Sequence, residues 1–381
     1  MTPITFSPRN VGPQAEALHR SLLAEIGGID RVAAALYDPK TDALKTFVHS
    51  TEGECPLVHY DARLAEVPSL AEVAREGRPR VVDDLTVFEG SPHEHSRRLL
   101  ELGYRSSYTV PFFDNGDLAG FLFFDSRTPA HFSAPLVEKL RVYGQLIALI
   151  LLHGLTSLRT LGAAVRVASR VTHERDPETG AHLDRMSRYA RLVARTLARS
   201  SGLPDEFVEY LFLFAPLHDI GKVAIPDRIL LKAGRLDEAE FELMKEHVRK
   251  GTRIVDDILG ELGLGGFPNA LILRNVVLRH HEAVDGSGYT DGLRGDEIPI
   301  EARIVAVADV FDALTSARPY KEAWSPAAAL DYLRERSGRQ FDRDCVQALE
   351  AEAATAEEIR LRFPDEDRWG YQSREGYTPD L

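Results

Sequence analysis

The sequence predicts a two-domain chain: an N-terminal α/β (α+β) half, one long linking helix, and a C-terminal all-α half. Three observations predict this. The 381 residues exceed the size at which a single hydrophobic core usually stops growing. Strand-like runs lie before residue 126, whereas apolar residues beyond residue 161 recur at helical spacing. Between them, residues 135–172 read as one helix that leaves the first half and enters the second.

Taken in order, the apolar residues from Gln14 to Ile26 fall at helical spacing, and Gly27-Gly28 ends that helix. Short strands are expected at Arg31–Tyr37, Ala43–Val48 and Arg80–Val82. Tyr108–Phe113 and Leu118–Asp125 flank Asp114-Asn115-Gly116-Asp117, and an Asn-Gly pair between two β-rich runs is the strongest short-range signal of a hairpin. His93 and His95 fall in a loop beside Glu94, where polar side chains are usually solvated and a metal or haem role is not expected. Ser133 as N-cap and Pro135 in the first turn open the long helix. Leu151, Leu158 and Val165 stand one heptad apart, with Ile147, Leu161 and Ala168 between them. A stripe that bridges two domains suits a parallel helix pair, so a homodimer is expected, although Gly154 and Gly162 weaken the helix.

Composition narrows the class of function. A formal charge of −13 excludes a broad nucleic-acid surface, which needs clustered Lys and Arg, so no DNA partner is expected. Cys55 and Cys345 are far apart and in no CxxC pair, which excludes a disulfide framework and a thiolate zinc site of the usual spacing. The seven apolar residues Leu146–Leu152 fall far short of the ~20 that span a bilayer. With no basic-then-apolar leader visible, the expectation is a cytoplasmic protein with no membrane partner.

The chemistry lies in the second half. Leu217-His218-Asp219-Ile220-Gly221-Lys222 combines two metal-type side chains, a turn and one cation, and read alone it is also an ordinary helix end. Glu178 and His182 stand four apart, a spacing that puts both on one helix face. His247 lies on a helix, and His280-His281 offers adjacent imidazoles ahead of a Gly-rich loop. Asp309 sits in an apolar helix, where a carboxylate is costly unless paired or metal-bound. Jointly these are five imidazoles and three carboxylates with no sulfur, a donor set suited to octahedral iron or manganese rather than structural zinc. Eight ligands exceed one ion, so two or more metals sharing a carboxylate are implied, an arrangement that clamps a phosphate for in-line displacement.

Two resemblances sharpen this reading. Gly120-Phe-Leu-Phe-Phe-Asp125-Ser126, followed by Phe132-Ser133, resembles a GAF domain over residues 10–152. That implies a sensor of an unknown small ligand, or a dimerisation module. His218-Asp219-Ile220-Gly221-Lys222, His280-His281-Glu282, Asp285-Gly286-Ser287-Gly288-Tyr289 and Arg318-Pro319-Tyr320-Lys321 resemble, in order and spacing, the HD-GYP family of the HD phosphohydrolase superfamily, over residues 161–358. The resemblance implies a cyclic di-GMP phosphodiesterase that yields linear pGpG and often GMP, using iron, alternatively manganese.

The same resemblance implies that His218, Asp219, His247, His280, His281 and Asp309 are metal ligands, with Asp219 bridging. Glu178 and His182 match the family's upstream pair, so two or three metals are expected. It gives Lys222, Arg318, Lys321 and Tyr289 to the substrate, and Asp312 to orienting a ligand or a basic residue. His218, Asp219 and Lys222 form the catalytic group on this reading. Two positions depart from the family: Thr290 replaces the Pro of Gly-Tyr-Pro, and Ala283 stands where a basic residue is common. Thr restores an N–H and frees φ, so a looser loop is expected. That departure is the main support for an alternative, a catalytically weak receptor of the dinucleotide. Residues 362–381 are expected to form a charged tail.

Overall fold

The computed structural model describes residues 17–365 apart from 18, 23, 52, 174–179, 233, 262–268 and 317–322, and for 154–173 and 180 the backbone alone. Six antiparallel strands form one sheet in the order β3-β2-β1-β6-β5-β4. These are β1 (Arg31–Asp38), β2 (Ala43–Thr51), β3 (Asp61–Arg63), β4 (Arg80–Val82), β5 (Ser106–Asp114) and β6 (Asp117–Ser126). The β5–β6 turn closes on the pair Asp114/Asp117, with Asn115 at φ 50° and Gly116 at φ 94°. Both central residues are left-handed, the backbone that Asn-Gly adopts most readily and that matches strand twist.

One sheet face packs on the long helix α3 (Ala134–His173), through Tyr108, Phe124 and Phe132 against Leu140, Ile147 and Leu151. The other face carries α1 (Pro68–Glu76) and α2 (Glu94–Glu101), with Leu44, Phe121, Val67, Leu70 and Val73 in a second cluster. Covering both faces explains why β1 reads as a continuous apolar run and not as an alternating one. The structure corrects the loop expected around His93: His95 lies inside α2, and His93 is its N-cap residue. It also corrects the use of the helix stripe. Ile147 and Leu151 are buried against their own sheet, whereas Val142, Leu146 and Leu149 of the same helix are exposed. Leu158, Leu161, Val165 and Ala168 have side chains outside the described residues.

The second half is helical: α4 (Gly180–Ser201), α5 (Asp205–Phe214), the single turn α6 (Asp227–Leu230), α7 (Glu238–Glu261), α8 (Ala270–Arg279), α9 (Ile300–Thr315), α10 (Pro326–Glu335), α11 (Arg343–Ala351) and α12 (Ala353–Arg362). Met186, Tyr189, Ala190, Val193 and Leu197 line the buried face of α4 and pack on α9 and α5. Its other face meets the sheet domain. Asp61 of β3 accepts Arg191 Nη2 at 2.7 Å and Arg195 Nη1 at 2.7 Å, and Lys40 Nζ reaches Asp184 at 2.7 Å. The backbone N–H of His59 donates to Asp205 at 2.6 Å, which ties the β2–β3 loop to the start of α5. No helix among the described residues is long and apolar enough to cross a membrane.

Candidate metal centre

Two short 3₁₀ turns, Ala215–Leu217 and Ile220–Ala224, hold His218 and Asp219 between them after α5. Gly221 lets α7 approach this turn: a Cβ there would stand 1.8 Å from the His247 carbonyl oxygen. Any side chain at 221 would therefore push His247 off the cluster.

Four imidazoles are oriented by the same device. His218 Nδ1 lies 3.0 Å from the Ala215 carbonyl, His247 Nδ1 2.8 Å from that of Met244, and His280 Nδ1 2.9 Å from that of Val276. A carbonyl has no proton to give, so each Nδ1 is the donor and each Nε2 presents a lone pair. In the fourth, His182 Nδ1 lies 2.7 Å from Asp312 Oδ2. Each ring therefore turns Nε2 toward a common space. The Nε2 atoms of His247 and His280 and the Asp219 Oδ1 atom are buried and make no hydrogen bond. Buried polar atoms without partners are costly, and their convergence is the mark of a cation site.

The spacings fit that reading. Asp219 Oδ1 lies 3.1 Å from His247 Nε2 and 3.6 Å from His280 Nε2, and Asp219 Oδ2 lies 3.3 Å from His218 Nε2. Asp309 Oδ1 lies 3.7 Å from His182 Nε2 and 3.8 Å from His218 Nε2. Ligand bonds of ~2.1 Å give edges of ~3 Å in an octahedron and ~3.4 Å in a tetrahedron, so these atoms are spaced as ligands that converge on cations. Two groups result, Asp219 with His247, His280 and His281, and Asp309 with His182 and His218. Asp219 offers one oxygen to the first group and turns the other toward His218 of the second.

Protonation follows from the packing. Burial, then the neighbouring imidazoles, push His281 well below the ordinary histidine range, and burial lowers His280 as well. Neutral imidazoles are what a metal requires. Burial alone would raise Asp219, but Lys222 and His218 more than offset it and hold the carboxylate ionised. Lys222 Nζ stands 2.7 Å from Asp219 Oδ2, inside the cluster.

Asp309 and Asp312 share α9 but differ in setting. Asp309 keeps a fifth of its side chain exposed, toward a cavity of about 660 Å³, whereas Asp312 is fully buried. Asp312 receives Arg185 Nε at 2.6 Å and Nη2 at 3.0 Å beside the His182 ring. Arg185 also donates to Ser316 Oγ at 2.7 Å, and to the Phe363 carbonyl at 2.8 Å. It had not been singled out in the sequence, although it stands one turn from His182.

Glu282, quoted above only as part of His280-His281-Glu282, has a role that spacing does not give. Its buried carboxylate accepts the backbone N–H groups of Thr290 (2.9 Å), Asp291 (2.7 Å) and Leu293 (3.1 Å). Thr290 Oγ1 donates to the Leu278 carbonyl at 2.9 Å. The expectation of a looser loop is thus overturned: the N–H that a Pro would lack is captured by Glu282, and the hydroxyl adds a second tie. Tyr289 follows from that anchoring, its ring 4.7 Å from the His281 ring and its N–H on the His281 carbonyl at 3.1 Å. Glu178, Arg318 and Lys321 lie outside the described residues.

Residues 177–345 match the family model of the HD domain, and residues 19–151 match that of the GAF domain. The cyclic di-GMP phosphodiesterase response regulator RpfG of Xanthomonas campestris pv. campestris (strain 8004) is 52% identical over 197 residues, covering 51% of this chain and 49% of its own. A cyclic di-GMP phosphodiesterase of Vibrio cholerae is 41% identical over 210 residues, covering 54% and 42%. The 3′3′-cGAMP-specific phosphodiesterase 2 of the same organism is 39% identical over 191 residues, covering 50% and 34%. The chain spans about half or less of the length of these relatives. Among solved structures, the GAF domain/HD domain protein from Geobacter sulfurreducens aligns at 16% identity and TM-score 0.32, over 39% of this chain and 96% of that one.

Proposed function

We propose, for a chain that joins a GAF domain to an HD domain, that the helical half is a metal-dependent phosphodiesterase of HD-GYP type. Its substrate on this reading is cyclic di-GMP, opened to linear pGpG. The observation that carries the reading is the pair of adjacent ligand groups, with Asp219 of one turned toward His218 of the other, Lys222 beside it and an open cavity lined by both groups. The names of the most similar relatives support the substrate.

His182, His218, Asp219, His247, His280, His281 and Asp309 would hold the ions, and Glu178 would add a ligand for a third. The nitrogen and oxygen donors favour iron, with manganese next. When bound, such paired ions neutralise phosphate charge and lower the pKa of water. The chain's own groups do the rest. Asp219 ties the two ligand groups together, and its ion pair with Lys222 keeps an ammonium beside the reacting phosphorus, where it offsets charge building on the phosphate oxygens. Arg318 and Lys321 would steady the substrate from the segment after Ser316, whose hydroxyl Arg185 fixes. Asp312 holds the His182 ring in the tautomer that presents Nε2.

The sheet domain would then be the regulatory half, taking a small ligand that the fold leaves unnamed. A homodimer through that domain and α3 is supported by Val142, Leu146 and Leu149, exposed at i, i+4 and i+7. The unpaired Cys55 and Cys345 fit a reducing, cytoplasmic setting. A related cyclic dinucleotide is the second substrate reading, favoured by the 3′3′-cGAMP-specific relative. Incubating anaerobically purified, metal-loaded protein with each dinucleotide decides between them. Absence of linear product with both iron and manganese would overturn the enzymatic reading and leave a receptor.

A further inference from the structure

The cavity beside the ligand groups is lined by His280, His281 and Asp309, and also by Arg336 and Arg339 in the loop between α10 and α11. That loop is fixed to the metal-side loop by backbone hydrogen bonds, Asp285 N–H to the Arg339 carbonyl at 2.8 Å and Val284 N–H to the Gln340 carbonyl at 3.3 Å. Arg336 is held flat, its Cζ 3.6 Å from the Tyr332 ring centroid. Among the described residues, the Arg339 guanidinium makes no hydrogen bond and no ion pair within 4 Å, and it acts on Asp285 only at longer range. An acidic chain therefore keeps an exposed guanidinium, without a hydrogen-bond or ion-pair partner among the described residues, in the lining of the cavity beside the ligand groups, on a loop anchored to the site.

A cyclic dinucleotide carries two phosphates on opposite sides of one ring, and only one of them can sit at the metals. The other lies away from them, and a cation within its reach adds a charge-assisted hydrogen bond that a dinucleotide with one phosphate cannot make. Among the described residues three cations line this cavity, Arg318 and Lys321 lying outside them. Lys245 already pairs with Glu242 at 2.6 Å and lies 4.9 Å from the Phe241 ring centroid. Arg336 stands 3.6 Å from Glu335 and stacks on Tyr332, which leaves it able to back a neighbour but turned aside. Arg339 is the cation with a donor fork to offer, and a planar fork matches phosphate in bidentate fashion.

We propose that Arg339, backed by Arg336, holds the phosphate that is not being cleaved, so that the site prefers a two-phosphate ring to a dinucleotide with one phosphate. This rests on reading the site as a cyclic dinucleotide phosphodiesterase. The test uses the full, metal-loaded chain, as wild type, R339A and R339K, on cyclic di-GMP and on GpG, which has one phosphodiester and no terminal phosphate. R339A is expected to raise KM for cyclic di-GMP by about 10- to 100-fold with little change in kcat, the usual weight of a charge-assisted contact. On GpG the loss is expected to be several-fold at most, and R339K recovers part of the loss on the cyclic substrate. Metal content per chain reports whether each variant has folded around its site. Equal losses on both substrates, or none on cyclic di-GMP, would overturn the assignment. If wild type cleaves neither dinucleotide, the phosphodiesterase reading falls. The same comparison of Kd for cyclic di-GMP and GpG, by calorimetry, then decides Arg339 on its own.

Discussion

In the sheet domain Arg31 and Asp125 are both buried and bind each other, with Ser107 Oγ donating to the same carboxylate at 2.7 Å. In the helical domain His247 and His280 are as deeply buried, yet their Nε2 atoms find no hydrogen-bond partner. The two regions bury ionisable groups at similar depth for opposite ends. The Asp125 carboxylate is taken up by Arg31 and Ser107, and only the Arg31 Nε donor is left without a partner, so the work of the pair is to hold β1 against β5 and β6. A cluster of lone pairs facing one another is unstable by itself and complete only with cations between. What separates structure from chemistry here is the direction of the unsatisfied atoms, not burial or charge.

The sharpest way to break the comparison is to alter the shared carboxylate. Asp219→Asn keeps the shape but removes the charge between the two ligand groups, so on the proposed reading phosphodiester hydrolysis should fall on the order of 10³-fold or more, with lower metal content. The thermal midpoint of the metal-free protein should stay within about 2 °C of wild type, because a functional cluster contributes little to folding. A drop comparable to that of a core variant would refute the contrast. The converse holds for the sheet domain. Asp125→Ala strands Arg31 and should cost about 3–5 kcal/mol in denaturant unfolding, with metal content per folded chain preserved.

Smaller effects sharpen the boundary between the two classes. Asp312 belongs to both, since it neutralises Arg185 and aims His182. Asp312→Ala should lower metal affinity or turnover by about 10- to 100-fold, measured by metal titration and initial rates. A separate effect is a pH dependence of stability in the sheet domain. Burial, then His93 and Arg80, pull His95 down to about 4 from its ordinary 6.5. The unfolded chain therefore takes up a proton below about 6.5 that the folded chain refuses until about 4. That contribution is fully present above pH ~6.5 and is lost as pH falls toward ~4, with a slope of up to ~1.4 kcal/mol per pH unit. His95→Gln should flatten this part of the stability–pH curve in full-chain unfolding. An unchanged curve would show that His95 titrates normally.

Patterns contained in a few neighbouring residues were legible in the sequence. Asn115-Gly116 marks the β5–β6 turn because the turn's backbone demands left-handed residues. The imidazoles and carboxylates of the centre stand out because such side chains are costly in apolar helices. What escaped depends on distance along the chain. β3 has three residues and no periodicity to read, and α2 buries only Ser96. Arg185 meets Asp312 across 127 positions, and Arg191 meets Asp61 across 130. The loop expected to loosen at Thr290 does not, because Glu282 gathers its N–H groups through a path that spacing alone does not reveal.

Helix α4 joins these observations. Near its start it carries His182 and Arg185, and along its outer face Arg191 and Arg195 clasp Asp61 of the sheet domain. One rigid rod is thus gripped by both halves. A small molecule entering the sheet domain and shifting that rod would change the affinity of the metals by some factor. Thermodynamic reciprocity then requires loading of the metals to change the affinity for that molecule by the same factor. The metal state of the helical half would then be felt in the sheet domain, and coupling would run along α4 in both directions.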